Sequence, residues 1–257
     1  MSTHYPAQLE VLYTPAEYAG LPARDLSDTI CVVFDVFRAT STIVAALAAG
    51  ARAVIPVAEI PEAVALGRER PDALLAGERE GHRIRAALSG GVDFHLGNSP
   101  REYTPERVGG RTIVLSTTNG SRALRACAGA AELLAGAFPN LAATARHLRT
   151  RAPRRLLLVC SGTGERAAYE DILGAGALAA LVWPADDSAA ADSARLARAV
   201  YERHQHDLAS AVSQSSNGRR LLGVPELRDD VPWCLQRDRF DFVVGHQNGE
   251  LRPLPKV

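Results

Sequence analysis

Apolar runs of strand length alternate along this chain with Ala-rich segments whose apolar residues recur at helical period. That alternation is expected of crossover units around a mainly parallel sheet. It predicts strands over residues 9–13, 30–35, 53–57, 73–77, 112–116, 132–135, 156–160 and 240–244. Helices are predicted over 40–49, 62–70, 121–126, 141–150, 169–181 and 192–204, with Pro61 placed for a first helical turn. Between 78 and 103 the periodicity fails and the chain is rich in Gly, Arg, His, Ser and Asn; a loop this long inside a compact domain is usually functional or disordered. A second irregular polar stretch covers 210–230, and no Pro, Gly or Ser run marks a linker. The expectation is one α/β domain over 1–257, a three-layer α/β/α arrangement on a largely parallel or mixed sheet.

Three segments, 29–42, 112–122 and 156–171, run from an apolar strand into small hydroxyl residues, Gly or Asn. A buried strand ending this way brings hydroxyls and backbone N–H groups to the carboxyl edge of a sheet, where the next helix begins and anions bind. Because the device recurs, two related halves are suspected. Carboxylates stand within these segments at Asp35, Glu170 and Asp171, and Glu78 stands just after the strand at 73–77. Phosphate donors interleaved with carboxylates point to a divalent cation and a phosphorylated substrate.

The charge balance removes other classes. Lys plus Arg and Asp plus Glu number 29 each, so no basic excess favours nucleic acid or an anionic membrane. Cys31, Cys127, Cys160 and Cys234 lack the short paired spacing of zinc or dithiol sites and read as reduced thiols. The first residues show no basic stretch followed by an apolar run, so no secretory signal is expected. The most apolar helix, over 172–183, falls short of the roughly 20 residues a membrane span needs. A cytoplasmic protein without a membrane partner follows, with a homo-oligomer left open.

Asp35 closes the run Ile30, Cys31, Val32, Val33, Phe34 and is followed by Arg38, Thr40, Ser41 and Thr42. The pair Asp35 and Arg38 suits catalysis on phosphorus, the carboxylate on a metal or the phosphoryl group and the guanidinium forked onto oxygens. An Asp–Arg pair with Thr40 as a helix cap is the structural alternative. Thr117, Thr118, Asn119, Gly120, Ser121 and Arg122 combine hydroxyls, an amide and a cation, although Asn followed by Gly is also an ordinary turn. Ser161, Gly162 and Thr163 form a similar loop. Glu170 and Asp171 are adjacent on a helix and project to different sides, and each also suits the first-turn dipole. Glu78, beside Arg79, suits a ligand-binding carboxylate or a surface ion pair, while His82 and His95 carry no assigned role. The Asp-any-Asp pair of haloacid-dehalogenase-type phosphatases is absent, since Phe37 stands two after Asp35, and there is no nucleotide P-loop.

The succession FDVFRATST, GERE-G, GNSPREYT, STTNGSRAL, CSGTGE and YEDILGAGAL resembles the 2-phosphosulfolactate phosphatase (ComB) family in order and approximate spacing. The likeness is strong over 30–181 and weaker around 229–234 and the last strand. It implies a Mg²⁺-dependent phosphatase that converts 2-phospho-3-sulfolactate to sulfolactate and phosphate, as in coenzyme M biosynthesis. Its motif positions fall on Asp35, Arg38, Thr40, Glu78, Asn98, Ser99, Thr117, Asn119, Gly120, Arg122, Ser161, Thr163, Glu170 and Asp171. With Ser41, Thr118 and Gly162 added from chemistry, the hydroxyl, amide and Gly positions with Arg122 would hold phosphate, and Asp35, Glu78, Glu170 and Asp171 would hold Mg²⁺. The chain departs from the family in a lengthened link, GHRIRAALSGG, whose Arg83 and Arg85 would meet a second anionic group of the substrate. Rival readings are a phosphatase of another small phosphoacid and a non-catalytic phosphoacid sensor. Four retained carboxylates argue against the sensor, because an anion-binding module gains nothing from them without a metal.

Overall fold

Apolar runs without a polar face cannot leave either side in water, and here they become strands covered on both faces. The computed structural model describes residues 6–255; residues 1–5, where the stretch read for a secretory signal begins, and 256–257 lie outside them. Its strands are β1 (Gln8–Leu12), β2 (Thr29–Phe34), β3 (Ala53–Val57), β4 (Leu74–Arg79), β5 (His82–Arg83), β6 (Thr112–Ser116), β7 (Glu132–Gly136), β8 (Arg155–Cys160), β9 (Val244–Gln247) and β10 (Glu250–Pro253). The principal helices are α1 (Ala39–Ala48), α2 (Ile60–Glu69), α3 (Gly120–Ala126), α4 (Leu141–Arg151), α5 (Tyr169–Leu181), α6 (Asp192–His204), α7 (Leu208–Ser213), α8 (Ser216–Leu222) and α9 (Asp230–Cys234). Every residue of β2 is buried. Val32 and Phe34 enter one core with Leu134, Leu156 and Leu158, whereas Cys31 and Val33 enter another with Leu133, Leu157 and Val159. Helices on both sides of the sheet make the three-layer α/β/α fold expected from the pattern.

The ladder runs β1-β8-β2-β7-β9-β10-β3-β6-β4-β5. It holds two parallel blocks, β1-β8-β2-β7 and β3-β6-β4. The C-terminal hairpin β9-β10 joins them by three successive antiparallel pairings. In a flat sheet the blocks would then present their carboxyl ends at opposite edges. They do not, because the sheet twists and coils. Helix α1 records the coiling: it is buried from Ala39 to Leu47 and lies in a core that includes both Val33 of one block and Val54 and Ile113 of the other. A helix buried on every face, with its hydroxyls bonded to backbone carbonyls, must be enclosed, and the curled sheet encloses this one.

Strands β3 and β6 and helices α5 and α6 keep the predicted bounds. The strand expected over 240–244 is corrected. It starts only at Val244, because Phe240 hydrogen-bonds out of the ladder to the Pro139 carbonyl. The chain then turns at Asn248 and Gly249, with φ of 52° and 83°, the geometry of a tight hairpin turn, and returns as β10. The region 210–230, read as irregular, contains α7 and α8, each begun by a side-chain cap from Asp207 or Ser215. Helices of six or seven residues are too short for a period to emerge. Strand β4 continues past Gly77 to Arg79 and doubles back as β5. No helix among the described residues is long and apolar enough to cross a membrane.

Candidate active site

The coiled sheet brings residues from six chain segments around one cavity of about 490 Å³. The end of β2 contributes Asp35, Phe37 and Arg38, and the end of β4 contributes Glu78 and Arg79 with the following Glu80 and Gly81. Asn98, Thr118 and Asn119, and Thr163 with Gly164, come from three loops, while α8 supplies Asn217 and Arg220. A second cavity, about 780 Å³ and lined in part by Glu170 and Tyr169, adjoins the first and shares Thr163, Gly164 and Asn217 with it.

Asp35 is fixed by the turn that starts α1. The Thr40 hydroxyl accepts from the Asp35 N–H at 3.1 Å and donates to its carbonyl at 3.0 Å, and Ala39 N–H donates to Oδ1 at 3.0 Å. Oδ2 lies against Gly120, where a Cβ would sit 2.7 Å from it and 2.5 Å from the Ala39 methyl. Only a glycine lets α3 approach this closely. Burial pushes the Asp35 carboxyl up to about 6, and the charges of Glu78 and Glu170 add to the rise.

Glu78 accepts from both the N–H and the hydroxyl of Thr118 at 3.0 Å through Oε1, and from Gly81 N–H at 2.7 Å through Oε2. It thereby ties the β4 turn to the β6 loop. Asp171 does the same for β2 and β8, accepting from Val36 N–H (2.8 Å), Ser161 Oγ (3.1 Å) and Gly162 N–H (3.1 Å). Burial, then the charge of Asp35, holds its carboxyl well above the usual range. Glu170, its neighbour on α5, faces α8 instead. It accepts from Asn217 Nδ2 at 2.6 Å and Ser215 Oγ at 3.3 Å, and burial raises its carboxyl too.

Arg38 is buried and bonded to Asp230 Oδ2 at 2.7 Å and to the Gly81 carbonyl at 3.0 Å. Asp230, fully buried at the start of α9, also accepts from Ser99 Oγ (2.6 Å) and Arg101 Nε (2.8 Å). The peptide between Phe37 and Arg38 is cis. Asp230, Asn217 and Arg220 escape residue-by-residue reading, since they lie far along the chain in a region without periodicity. The weak family likeness around 229–234 is the one signal for Asp230.

Among the residues read as phosphate ligands, Asn98, Thr118, Asn119 and Thr163 line the cavity. Others hold loops in shape: Thr40 binds the Asp35 backbone, Ser41 the Val36 carbonyl, Ser99 Asp230, Thr117 the Ser121 hydroxyl, and Ser161 and Gly162 Asp171. Arg122 lies outside the lining, half-exposed and 3.8 Å from Glu165. Two residues along a helix are about 200° apart, so with Gly120 against Asp35, Arg122 points away. Arg83 and Arg85 are likewise absent from the lining. Arg83 donates to the His95 carbonyl, and Arg85 precedes the short exposed turn Ala86–Ser89.

For a cation, no three Asp, Glu, His or Cys residues among the described residues form a ready metal group. What the cavity does offer is oxygen. Asp35 and Glu78 share it with Asn98 and Asn119, whose Oδ1 atoms are buried without a hydrogen-bond partner among the described residues. A Mg²⁺ ion takes one or two carboxylates and completes its octahedron with water and substrate phosphate oxygens, so this donor set fits it.

Residues 16–249 match the family model described as 2-phosphosulpholactate phosphatase. The chain is 38% identical over 245 residues to a probable 2-phosphosulfolactate phosphatase of Caldanaerobacter subterraneus subsp. tengcongensis, covering 94% of this chain and 97% of that protein. It is 36% identical over 228 residues to the protein of the same name from Thermotoga maritima, covering 89% and 93%. A match spanning both parallel blocks and the α8–α9 region cannot arise from one shared loop. The chain therefore belongs to the 2-phosphosulfolactate phosphatase family and is by that membership a phosphoric monoester hydrolase.

Proposed function

We propose that this protein hydrolyses 2-phospho-3-sulfolactate to sulfolactate and inorganic phosphate in a Mg²⁺-dependent reaction. The observation that carries the reading is the convergence in one cavity of the buried carboxylates Asp35 and Glu78, the Arg38 guanidinium and two amide oxygens without a hydrogen-bond partner among the described residues. Burial raises the Asp35 carboxyl above the usual carboxylate range in the metal-free protein, which favours its taking a proton. Asp35 receives the proton of an attacking water as the new P–O bond forms; the bond from phosphorus to the substrate's C2 oxygen breaks, the departing oxygen takes a proton from solvent in the open cavity, and Asp35 returns its own proton to solvent. Arg38, held in place by Asp230 and Gly81, stabilises charge on the phosphoryl oxygens. Asp35 and Glu78, with the amide oxygens of Asn98 and Asn119, would hold the Mg²⁺. When bound, the ion supplies charge neutralisation at the phosphoryl group and relieves the mutual repulsion of the buried carboxylates. Four buried free cysteines support a reducing, cytoplasmic setting, and the reaction fits a coenzyme M biosynthesis-type pathway.

The test is phosphate release from 2-phospho-3-sulfolactate by purified protein, first with chelator and then with Mg²⁺ restored. Activity should vanish and return. Undiminished release from metal-free protein would remove the metal from the mechanism, and tight binding without turnover would identify a sensor.

A further inference from the structure

Three guanidiniums line the cavity, and the protein itself holds two of them. Arg79 donates through Nη1 to the Glu78 carbonyl (2.7 Å) and the Ser116 carbonyl (3.3 Å). Its Nη2 donates to the Ala58 carbonyl and Ser116 Oγ, both at 3.0 Å. It is a strut between β4 and β6. Arg38 is ion-paired with Asp230 at 2.7 Å and donates to the Gly81 carbonyl, and its remaining donors are assigned to the phosphoryl group. Arg220 differs from both. Its guanidinium makes a single long hydrogen bond, 3.4 Å from Nη2 to Asn217 Oδ1, and forms no ion pair within 4.0 Å among the described residues. Its charge also acts on Glu170, where it favours the ionised carboxylate.

Its position is nonetheless defined. Helix α8 is capped by Ser215 Oγ, which accepts from Gly218 N–H at 2.9 Å, and is pinned by Asn217 Nδ2, which donates to Glu170 Oε1 and Thr163 Oγ1 at 2.6 Å each. Arg220 Nη1 lies so close to Gly81 that a Cβ there would sit 2.4 Å from it. Gly81 is also where Arg38 and Glu78 bond, so the uncommitted cation stands beside the residues assigned to the phosphoryl group.

We infer that Arg220 is a specificity-determining residue, binding the carboxylate or sulfonate at the non-reacting end of the substrate. This rests on the phosphatase reading above. A substrate with a phosphate and further anionic groups needs a cation that no protein carboxylate already neutralises, and a guanidinium meets an oxyanion with two parallel N–H donors. Recognition of a part that does not react appears in KM rather than in kcat.

The experiment compares wild-type, Arg220→Ala and Arg220→Lys enzymes, each saturated with Mg²⁺, on four substrates. These are 2-phospho-3-sulfolactate, 2-phospholactate without the sulfonate, 2-sulfoethyl phosphate without the carboxylate, and 4-nitrophenyl phosphate. Arg220→Ala should raise KM for phosphosulfolactate on the order of 10–100-fold with kcat within about threefold, the range expected for one lost charge-assisted pair. Arg220→Lys should recover part of it, and KM for 4-nitrophenyl phosphate should stay unchanged. Whichever truncated substrate becomes insensitive to the substitution lacks the group that Arg220 binds. Equal effects on all four substrates, or none, overturn the assignment. If the wild-type enzyme turns over none of them, the phosphatase reading fails by itself. Calorimetric binding of phosphosulfolactate then decides Arg220 separately: affinity equal in wild type and Arg220→Ala overturns it, and a loss on the order of tenfold or more supports it.

Discussion

Asp35 shows at the scale of one residue how a site opposes stability. Burial and neighbouring carboxylates lift its pKa from 3.8 to about 6, so the folded state binds this proton more tightly than the unfolded chain does. The resulting stabilisation is fully present below pH 3.8 and is lost as pH rises through about 6. At pH 8 in metal-free protein, the ionised carboxylate therefore costs about 2–3 kcal/mol, because each tenfold difference in proton affinity between the folded and unfolded chain is worth roughly 1.4 kcal/mol. Asp35→Asn keeps the acceptor for Ala39 N–H and removes the charge. It should raise the melting temperature of the metal-free protein at pH 8, with the gain shrinking toward pH 4, and should lower kcat on the order of 10²–10⁴-fold. Near-normal turnover would reduce Asp35 to a structural partner of the α1 turn.

Elements decide which motif residues reach the cavity. The hydroxyl-rich loops are legible because small polar residues after an apolar strand are conspicuous, but the sequence does not say which way each side chain turns. Helix geometry does. With Gly120 against Asp35, the first turn of α3 is seated on the site and Arg122 is carried outward to Glu165. Gly120→Ala should force α3 away from Asp35 and Ala39 at a cost of about 1–3 kcal/mol, typical of overpacking. Activity should fall at least about tenfold in a protein whose circular dichroism is unchanged, a loss consistent with displacement of the catalytic carboxylate by a fraction of an ångström. Full activity in that variant would show that the close approach is incidental. Asp230 and Arg220 belong to short helices, α9 and α8, whose few residues carry no period, so pattern reading could not place them.

The molecule as a whole depends on the C-terminal hairpin. Leu251 in β10 is fully buried, pairs with Val54 of β3 and lies in the core shared by the two parallel blocks. Leu251→Ala should destabilise the protein by about 2–5 kcal/mol, measured by denaturant unfolding, with one transition because both blocks share that core. Two separated transitions would mean that the blocks fold independently. The sequence by itself determined the α/β class, most strands and helices, the recurring strand-to-hydroxyl loops and the family likeness. Each is written in local periodicity or in contiguous motifs, where a residue's neighbours in the chain are also its neighbours in space. Only the tertiary structure decided that the blocks curl around α1 until their carboxyl ends meet. It alone turned Arg122 away, engaged both oxygens of Asp171 in holding loops, and brought Asp230 and Arg220 to Arg38 and Gly81. Those outcomes depend on sheet coiling and chiefly on contacts between residues far apart in the chain, 192 positions for Arg38 and Asp230, and nothing in local patterning encodes such distances.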